Sequence, residues 1–225
     1  MAARTICVIL ISYGVITMKG KMFSFFVLAA LVLVPAAPAT ARTAEDWIDR
    51  GDRHVHNEEY NTAVKCYTKA IELDPDNAGA YFKRHKAYNA LGDIEPAVAD
   101  VTTAIELDPA NYQYYYVRGF LYNVEQEYTL AIADLDRSIA LKPDARRNGL
   151  AYLERATAYH NLGGYDLAVT DYTKYIEANP DNGEAYFLRG LSYLELRDTE
   201  NAKKDFKKAC DLGNANGCAR YNKLK

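Results

Sequence analysis

Residues 78–111 read AGAYFKRHKAYNALGDIEPAVADVTTAIELDPAN, and the chain on either side repeats this stretch with variations. The segment YTKAIELDP at 67–75 returns as VTTAIELDP at 101–109, a shift of 34 residues. A fixed period of this length marks an array of helix pairs, in which one pair cannot bury its own apolar face and must stack on its neighbours. The alanines Ala63, Ala97, Ala131, Ala168 and Ala202 hold the register, with gaps of 34, 34, 37 and 34. Five units follow, at 44–77, 78–111, 112–145, 149–182 and 183–216, with an insertion at Arg146-Arg147-Asn148 and a C-terminal cap at 217–225. Each unit reads as two helices joined by a turn such as Leu91-Gly92-Asp93 or Leu162-Gly163-Gly164, where glycine can take the left-handed conformation that ends a helix. Asp74-Pro75, Asp108-Pro109 and Lys142-Pro143 then close the second helix, because proline cannot continue one.

Ahead of the array, Met18 begins a segment with a positive start (Lys19, Lys21), an apolar run from Phe23 to Val34 and the small-residue site Ala39-Thr40-Ala41. This is the pattern of a cleaved secretory leader over 1–41, and its apolar run is short for a membrane span. Residues 1–17 have two readings: a start assigned too early, with Met18 the true one, or a second apolar stretch, Ile6 to Ile16, that stays in the membrane. Cleavage after Ala41 leaves 184 residues at 42–225, exported to a periplasm or secreted. Of 27 basic residues the leader removes Arg4, Lys19 and Lys21, so the remainder carries 24 against 30 acidic, a net −6. That balance argues against nucleic-acid binding, which needs a basic surface to displace counterions. The charge is uneven, with +4 from Arg197 onward and −10 over 42–196. Lys203, Lys204, Lys207 and Lys208 crowd one helix, a solvated face or an electrostatic contact with an anionic partner or lipid surface.

The unit pattern resembles the tetratricopeptide repeat family over essentially all of 44–216. The first helix opens on an aromatic (Trp47, Tyr81, Tyr115, Tyr152, Tyr186). A small residue follows (Gly51, Gly119, Ala156, Gly190), with His85 departing, and then a second aromatic (Tyr88, Tyr122, Tyr159, Tyr193), with His54 departing. After the helix B alanine come a bulky residue (Tyr67, Val101, Leu135, Tyr172, Phe206) and another small one (Ala70, Ala104, Ser138, Ala209). Tyr175 stands where the other units put Ala or Ser, and with the insertion it marks irregular stacking before the fourth unit. The resemblance implies an all-α fold, a right-handed solenoid of antiparallel helix pairs. Small residues let helices approach and aromatics fill the space beside them, so most of the 19 tyrosines are core.

Arg84, Arg118, Arg155 and Arg189 recur in the first helix, and Asp100, Asp134, Asp171 and Asp205 in the second. They are expected to form half-buried structural ion pairs, with Cys66 replacing the aspartate opposite Arg50; the alternative is an open row of guanidinium groups for anions. Cys210 and Cys218, eight apart across a small-residue turn, suit a disulfide, and the segment resembles the cysteine-rich Sel-like repeats in which such cysteines staple a helix pair. The sequence has no His-Glu-x-x-His, paired Cys-x-x-Cys, phosphate loop or Gly-x-Ser-x-Gly, so no metal, cofactor or enzymatic activity is expected.

In the resembled family the first helices line a concave face that binds extended peptides or partner helices. Its inward positions map to Phe82, Lys86 and Asn89; Tyr116, Phe120 and Asn123; Leu153, Thr157 and His160; and Phe187, Leu191 and Leu194. Ile48, Asp52 and Val55 are their counterparts in the first unit, and they do not suit a clamp for a C-terminal carboxylate. The expected groove is apolar and aromatic, with amides along one rim. The functional expectation is an exported non-enzymatic scaffold binding an apolar peptide or helix of another protein. The alternative is an envelope assembly factor held at the membrane by an uncleaved N-terminus or by the basic C-terminal end.

Overall fold

The computed structural model describes residues 42–224, so the expected leader and its cleavage site lie outside the described residues. The described residues form a right-handed all-α solenoid of antiparallel helix pairs: α1 (Ala44–His56) with α2 (Tyr60–Leu73), α3 (Ala78–Leu91) with α4 (Ile94–Leu107), α5 (Tyr112–Val124) with α6 (Tyr128–Leu141), α7 (Ala145–Asn161) with α8 (Tyr165–Ala178), and α9 (Gly183–Glu195) with α10 (Thr199–Asp211). A last helix, α11 (Ala215–Lys223), caps the array.

Side-chain oxygens start the first helices, where backbone N–H groups have no intrahelical acceptor. The Thr43 hydroxyl accepts from Asp46 N at 3.1 Å and the Asp46 carboxylate accepts from Thr43 N at 2.8 Å, a reciprocal capping box. Asn77, Asn111, Asn182 and Asn214 cap α3, α5, α9 and α11. Asn214 Oδ1 accepts from Gly217 N at 2.7 Å, which starts the C-terminal cap at Ala215, two residues before the sequence period places it. Cys210 and Cys218 face each other across this turn with Cα atoms 4.4 Å apart, at the near end of the roughly 4.4–6.8 Å a disulfide spans.

The turn inside every pair has one left-handed residue. Gly92 and Gly163 take φ 82° in the second and fourth pairs, but Glu58 (60°), Gln126 (63°) and Arg197 (62°) hold the same place in the others. Side chains with a Cβ are strained there by roughly 1–2 kcal/mol.

Packing follows an exchange of volumes sixteen residues apart. A Cβ placed on Gly119 would lie 2.7 Å from Leu135 Cγ, and one on Gly190 would lie 2.8 Å from Phe206 Cε1, so these glycines are required by close approach. The second pair reverses the exchange. His85, in the small position, is buried at 4% exposure, and Val101, in the bulky position, is fully enclosed. The imidazole takes the space that a glycine leaves to an aromatic elsewhere.

The insertion before the fourth pair is absorbed as one extra helical turn. Asp144 caps it, accepting from Arg146 N at 3.0 Å, and α7 kinks at Asn148 (φ −131°, ψ 30°). Asn148 is buried, and its amide donates to the carbonyls of Ser138 and Lys142, both at 3.1 Å, satisfying the end of α6. Tyr175, the expected irregularity, is buried with its ring facing Gly149; a Cβ there would sit 3.4 Å from Tyr175 Cδ2, an ordinary contact, and 3.3 Å from Asn179 Nδ2.

Candidate protein-interaction face

The Arg and Asp residues singled out from the sequence meet as a ladder. Arg84 donates to both oxygens of Asp100 (2.9 and 2.7 Å), Arg118 to Asp134 (2.7 and 2.8 Å), Arg155 to Asp171 (2.7 and 2.9 Å) and Arg189 to Asp205 (2.8 and 2.9 Å). The third donor reaches back to the preceding pair, onto Thr68, Thr102 or Thr173, and in the fourth pair onto the carboxylate of Asp136 at 2.5 Å. The hydrogen bond from Arg84 to Asp100 holds the guanidinium pKa above its ordinary value. These groups face the helix contacts, so the open anion row is replaced by internal pairing. Cys66 is buried where the first pair would need its aspartate, and Arg50 lies instead over the Trp47 ring at 5.4 Å.

Three of the four ladder arginines are also held between two tyrosines of their own helix, a feature the sequence reading left out. Arg84 lies 5.6 and 5.8 Å from the Tyr81 and Tyr88 rings, Arg155 5.7 and 5.8 Å from Tyr152 and Tyr159, and Arg189 5.6 and 5.9 Å from Tyr186 and Tyr193. The signal was available as Tyr-x-x-Arg-x-x-x-Tyr, whose spacings of three and four put all three side chains on one helix face.

Most first helices touch their successors, α1 with α3, α5 with α7, α7 with α9 and α9 with α11, while second helices do not meet to that extent among the described residues. The first helices therefore line the inner side. The inner-face residues expected to form a groove are partly sunk into it. Phe82, Tyr116, Phe120, Leu153, Phe187 and Leu191 are half-buried, and Ile48 is buried; Lys86 and Asn89 are exposed. Phe82 packs on Tyr114 with ring centres 4.6 Å apart, and Phe187 packs on Phe206 at 5.8 Å. Of the large exposed apolar residues, Leu73, Leu107, Leu130 and Leu167 lie on second helices and Val124, Leu150 and Leu162 toward the ends of α5 and α7, so the face is a surface of aromatic edges and not a deep apolar trough.

The polar groups of the same face are largely committed to neighbours. Asn123, expected to bond an extended backbone, donates to the carbonyl and carboxylate of Glu154, both at 3.0 Å. Burial raises the Glu154 pKa, and the Asn123 amide opposes that rise. Thr157 donates to Leu153 O at 3.0 Å, and His160 Nδ1 pairs with Ser192 Oγ at 2.9 Å, with burial lowering the imidazole pKa. Burial, with Glu154 and Tyr175 adding to it, pushes the Tyr116 pKa up to about 12, so its phenol stays a donor at neutral pH.

On α10, Lys207 bridges to Asp211 at 2.6 Å and Lys208 lies 5.9 Å from the Tyr186 ring, which leaves Lys203 and Lys204 as the freer charges of that run. Among the described residues no cluster of His, Cys, Asp and Glu could hold a metal ion, and no helix is long and apolar enough to cross a membrane.

The helix pairs and their inner face define a repeat scaffold of a known kind. The tetratricopeptide repeat model matches residues 86–146 and 153–217, and a second model of the same repeat matches 51–92. The chain belongs to the tetratricopeptide repeat family. It is 41% identical over 70 residues to the human small glutamine-rich tetratricopeptide repeat-containing protein beta, covering 31% of this chain and 23% of that protein. It is 34% identical over 159 residues to human tetratricopeptide repeat protein 6, covering 69% of this chain and 31% of that protein. The chain thus spans less than a third of the length of these curated relatives. Among solved structures, a crystal structure of MamA superposes with a TM-score of 0.69 at 28% identity, over 75% of this chain and 91% of that one. YrrB, described as a repeat protein of this type with an unusual peptide-binding site, superposes with a TM-score of 0.70 over 81% of this chain and 92% of that one; at 22% identity this likeness concerns the fold.

Proposed function

We propose that the protein is an exported, non-enzymatic scaffold that holds a peptide or helix of another protein along its first-helix face. The observation that carries this reading is the row of half-buried aromatic edges on consecutive first helices, with Lys86 and Asn89 exposed beside them. Aromatic edges supply contact area at little conformational entropy, and the exposed amide and ammonium groups can bond a partner backbone. The peptide-binding site named for YrrB supports the same class of function. The leader pattern of 18–41 supports export, and in that compartment Cys210 and Cys218 persist as a disulfide that locks the last turn.

The packing of Phe187 on Phe206 makes charge substitutions of the half-buried aromatics a test of folding as much as of binding. Lys86→Glu with Asn89→Arg changes exposed groups only. Crosslinked capture from envelope extract, read by mass spectrometry, should show partners held by the wild type and lost by this double variant. Equal capture by both would sink the assignment of the face.

A further inference from the structure

The three inserted residues create a cleft of about 410 Å³ between the N-terminal turns of α5 and α7 and the end of α8. Its walls include Tyr112, Tyr116, Arg146, Arg147, Tyr175 and Asn179, and no aspartate or glutamate lines it. That is unusual on an array whose residues 42–196 carry a net −10. The adjoining hollow, about 500 Å³, is lined by Asp144, Glu177 and Lys174 and shares Arg146 with the cleft, so its two acids face two basic groups only when that guanidinium is counted.

Arg146 has no carboxylate partner among the described residues, and Arg147 Nε stands 3.9 Å from Asp144 in a pair exposed on both sides, a contact worth little in water. Guanidinium groups donate and cannot accept. The Tyr175 hydroxyl accepts from Asn182 at 2.9 Å, which leaves its own proton for another acceptor. The Tyr116 phenol keeps its proton as well. The walls therefore offer donors in excess, together with aromatic faces, and the cleft opens beside Tyr116, an inner-face position.

We propose that the Arg146–Asn148 insertion builds a subsite for a glutamate or aspartate side chain of the peptide bound on the first-helix face. This rests on the interaction face proposed above and adds to it the sign of the partner. Arg146 and Arg147 take the carboxylate, and the tyrosines cover the aliphatic part of its side chain. Charge-assisted hydrogen bonds of this type are the strong ones, and their loss shows as about tenfold in affinity per arginine. The nearest acids, Asp144 beside Arg147, Glu177 in the hollow that Arg146 also lines, and Glu154, whose charge reaches Tyr116, set the limit on how much negative charge the subsite accepts.

The test uses the full-length protein on an array of synthetic peptides in matched pairs that differ by Glu→Gln. The wild type should retain glutamate peptides at least tenfold better, with the preference falling as salt rises. Arg146→Gln with Arg147→Gln, both exposed and so neutral for folding by melting temperature, should lose the preference while still binding apolar peptides. Indifference of the wild type to Glu→Gln, or an unchanged preference in the double variant, would overturn the subsite. Peptide binding untouched by Lys86→Glu with Asn89→Arg would overturn the face instead, so the two failures separate. If no peptide binds, calorimetry with N-acetyl-diglutamate decides: heat seen with the wild type and lost in the arginine variant supports the subsite, and no heat overturns it. Arginine-dependent binding to phosphatidylglycerol vesicles without glutamate preference would assign the cleft to a lipid headgroup and overturn the peptide reading.

Discussion

The second and fourth helix pairs both depart from the repeat, and they do so by different means. In α3 and α4 the departure is a substitution: His85 replaces a small residue, Val101 replaces a bulky one, and the backbone keeps the period of 34. In α7 and α8 it is an insertion: α7 kinks, Asn148 ties off the end of α6, and a cleft opens on the surface. Volume can be traded between facing side chains at constant helix spacing, since close packing conserves volume and not identity. Extra chain length cannot be traded that way. It must go into new backbone whose polar groups need partners, which is why a buried amide sits at the kink.

The largest test of this comparison concerns the ladder. Asp100→Ala leaves the Arg84 guanidinium with Thr68 as its hydrogen-bond acceptor and no carboxylate, and breaking a buried pair from one side costs about 3–5 kcal/mol. Asp171→Ala leaves Arg155 with Asp136, so the loss should be clearly smaller by urea unfolding. Equal losses would mean that Asp136 adds nothing at the irregular join.

The exchange in the second pair is probed through pH. Burial lowers the His85 pKa from 6.5 to about 4, and its Nδ1 has no hydrogen-bond partner. The folded state therefore resists a proton that the unfolded chain accepts. Stability from this group is complete above pH 6.5 and is lost as pH falls through about 4, by about 3 kcal/mol in all. His85→Gly with Val101→Tyr restores the ordinary exchange of volumes. Its thermal stability should lose that part of the pH slope between 6.5 and 4; an unchanged slope would show that other groups carry it.

The smallest effect separates the turns. Gln126→Gly relieves a left-handed residue where the fourth pair already has Gly163, and should raise stability by about 0.5–1 kcal/mol in thermal unfolding. Gly163→Ala should lower it by a similar amount.

The helix pairs, their register and the partners of the ladder were legible in residue order, because a repeated contact needs the same residue types at the same spacing. The Arg118–Asp134 pair and its copies follow from that rule alone. The departures were visible as positions but not as outcomes: His85 and Tyr175 stood out, yet the residues they pack against, Val101 and Gly149, lie sixteen residues ahead and twenty-six behind on facing helices. The interaction face was legible as a list of positions and less so as a surface. Asn123, Thr157 and His160 face inward as the register requires, but they are held by Glu154, Leu153 and Ser192, and such pairing depends on where the next helix lies.

Periodicity, composition and capping residues by themselves determined that this chain is a stacked array of helix pairs with an arginine–aspartate ladder, since those features depend on local spacing. The tertiary structure decided how deeply the aromatics sink, which amides remain available, and that Arg146 and Arg147 border a cleft without an acid of its own. Those outcomes depend on the angle and distance between neighbouring pairs, set at the kink by Asn148, and a linear pattern carries no direct record of them.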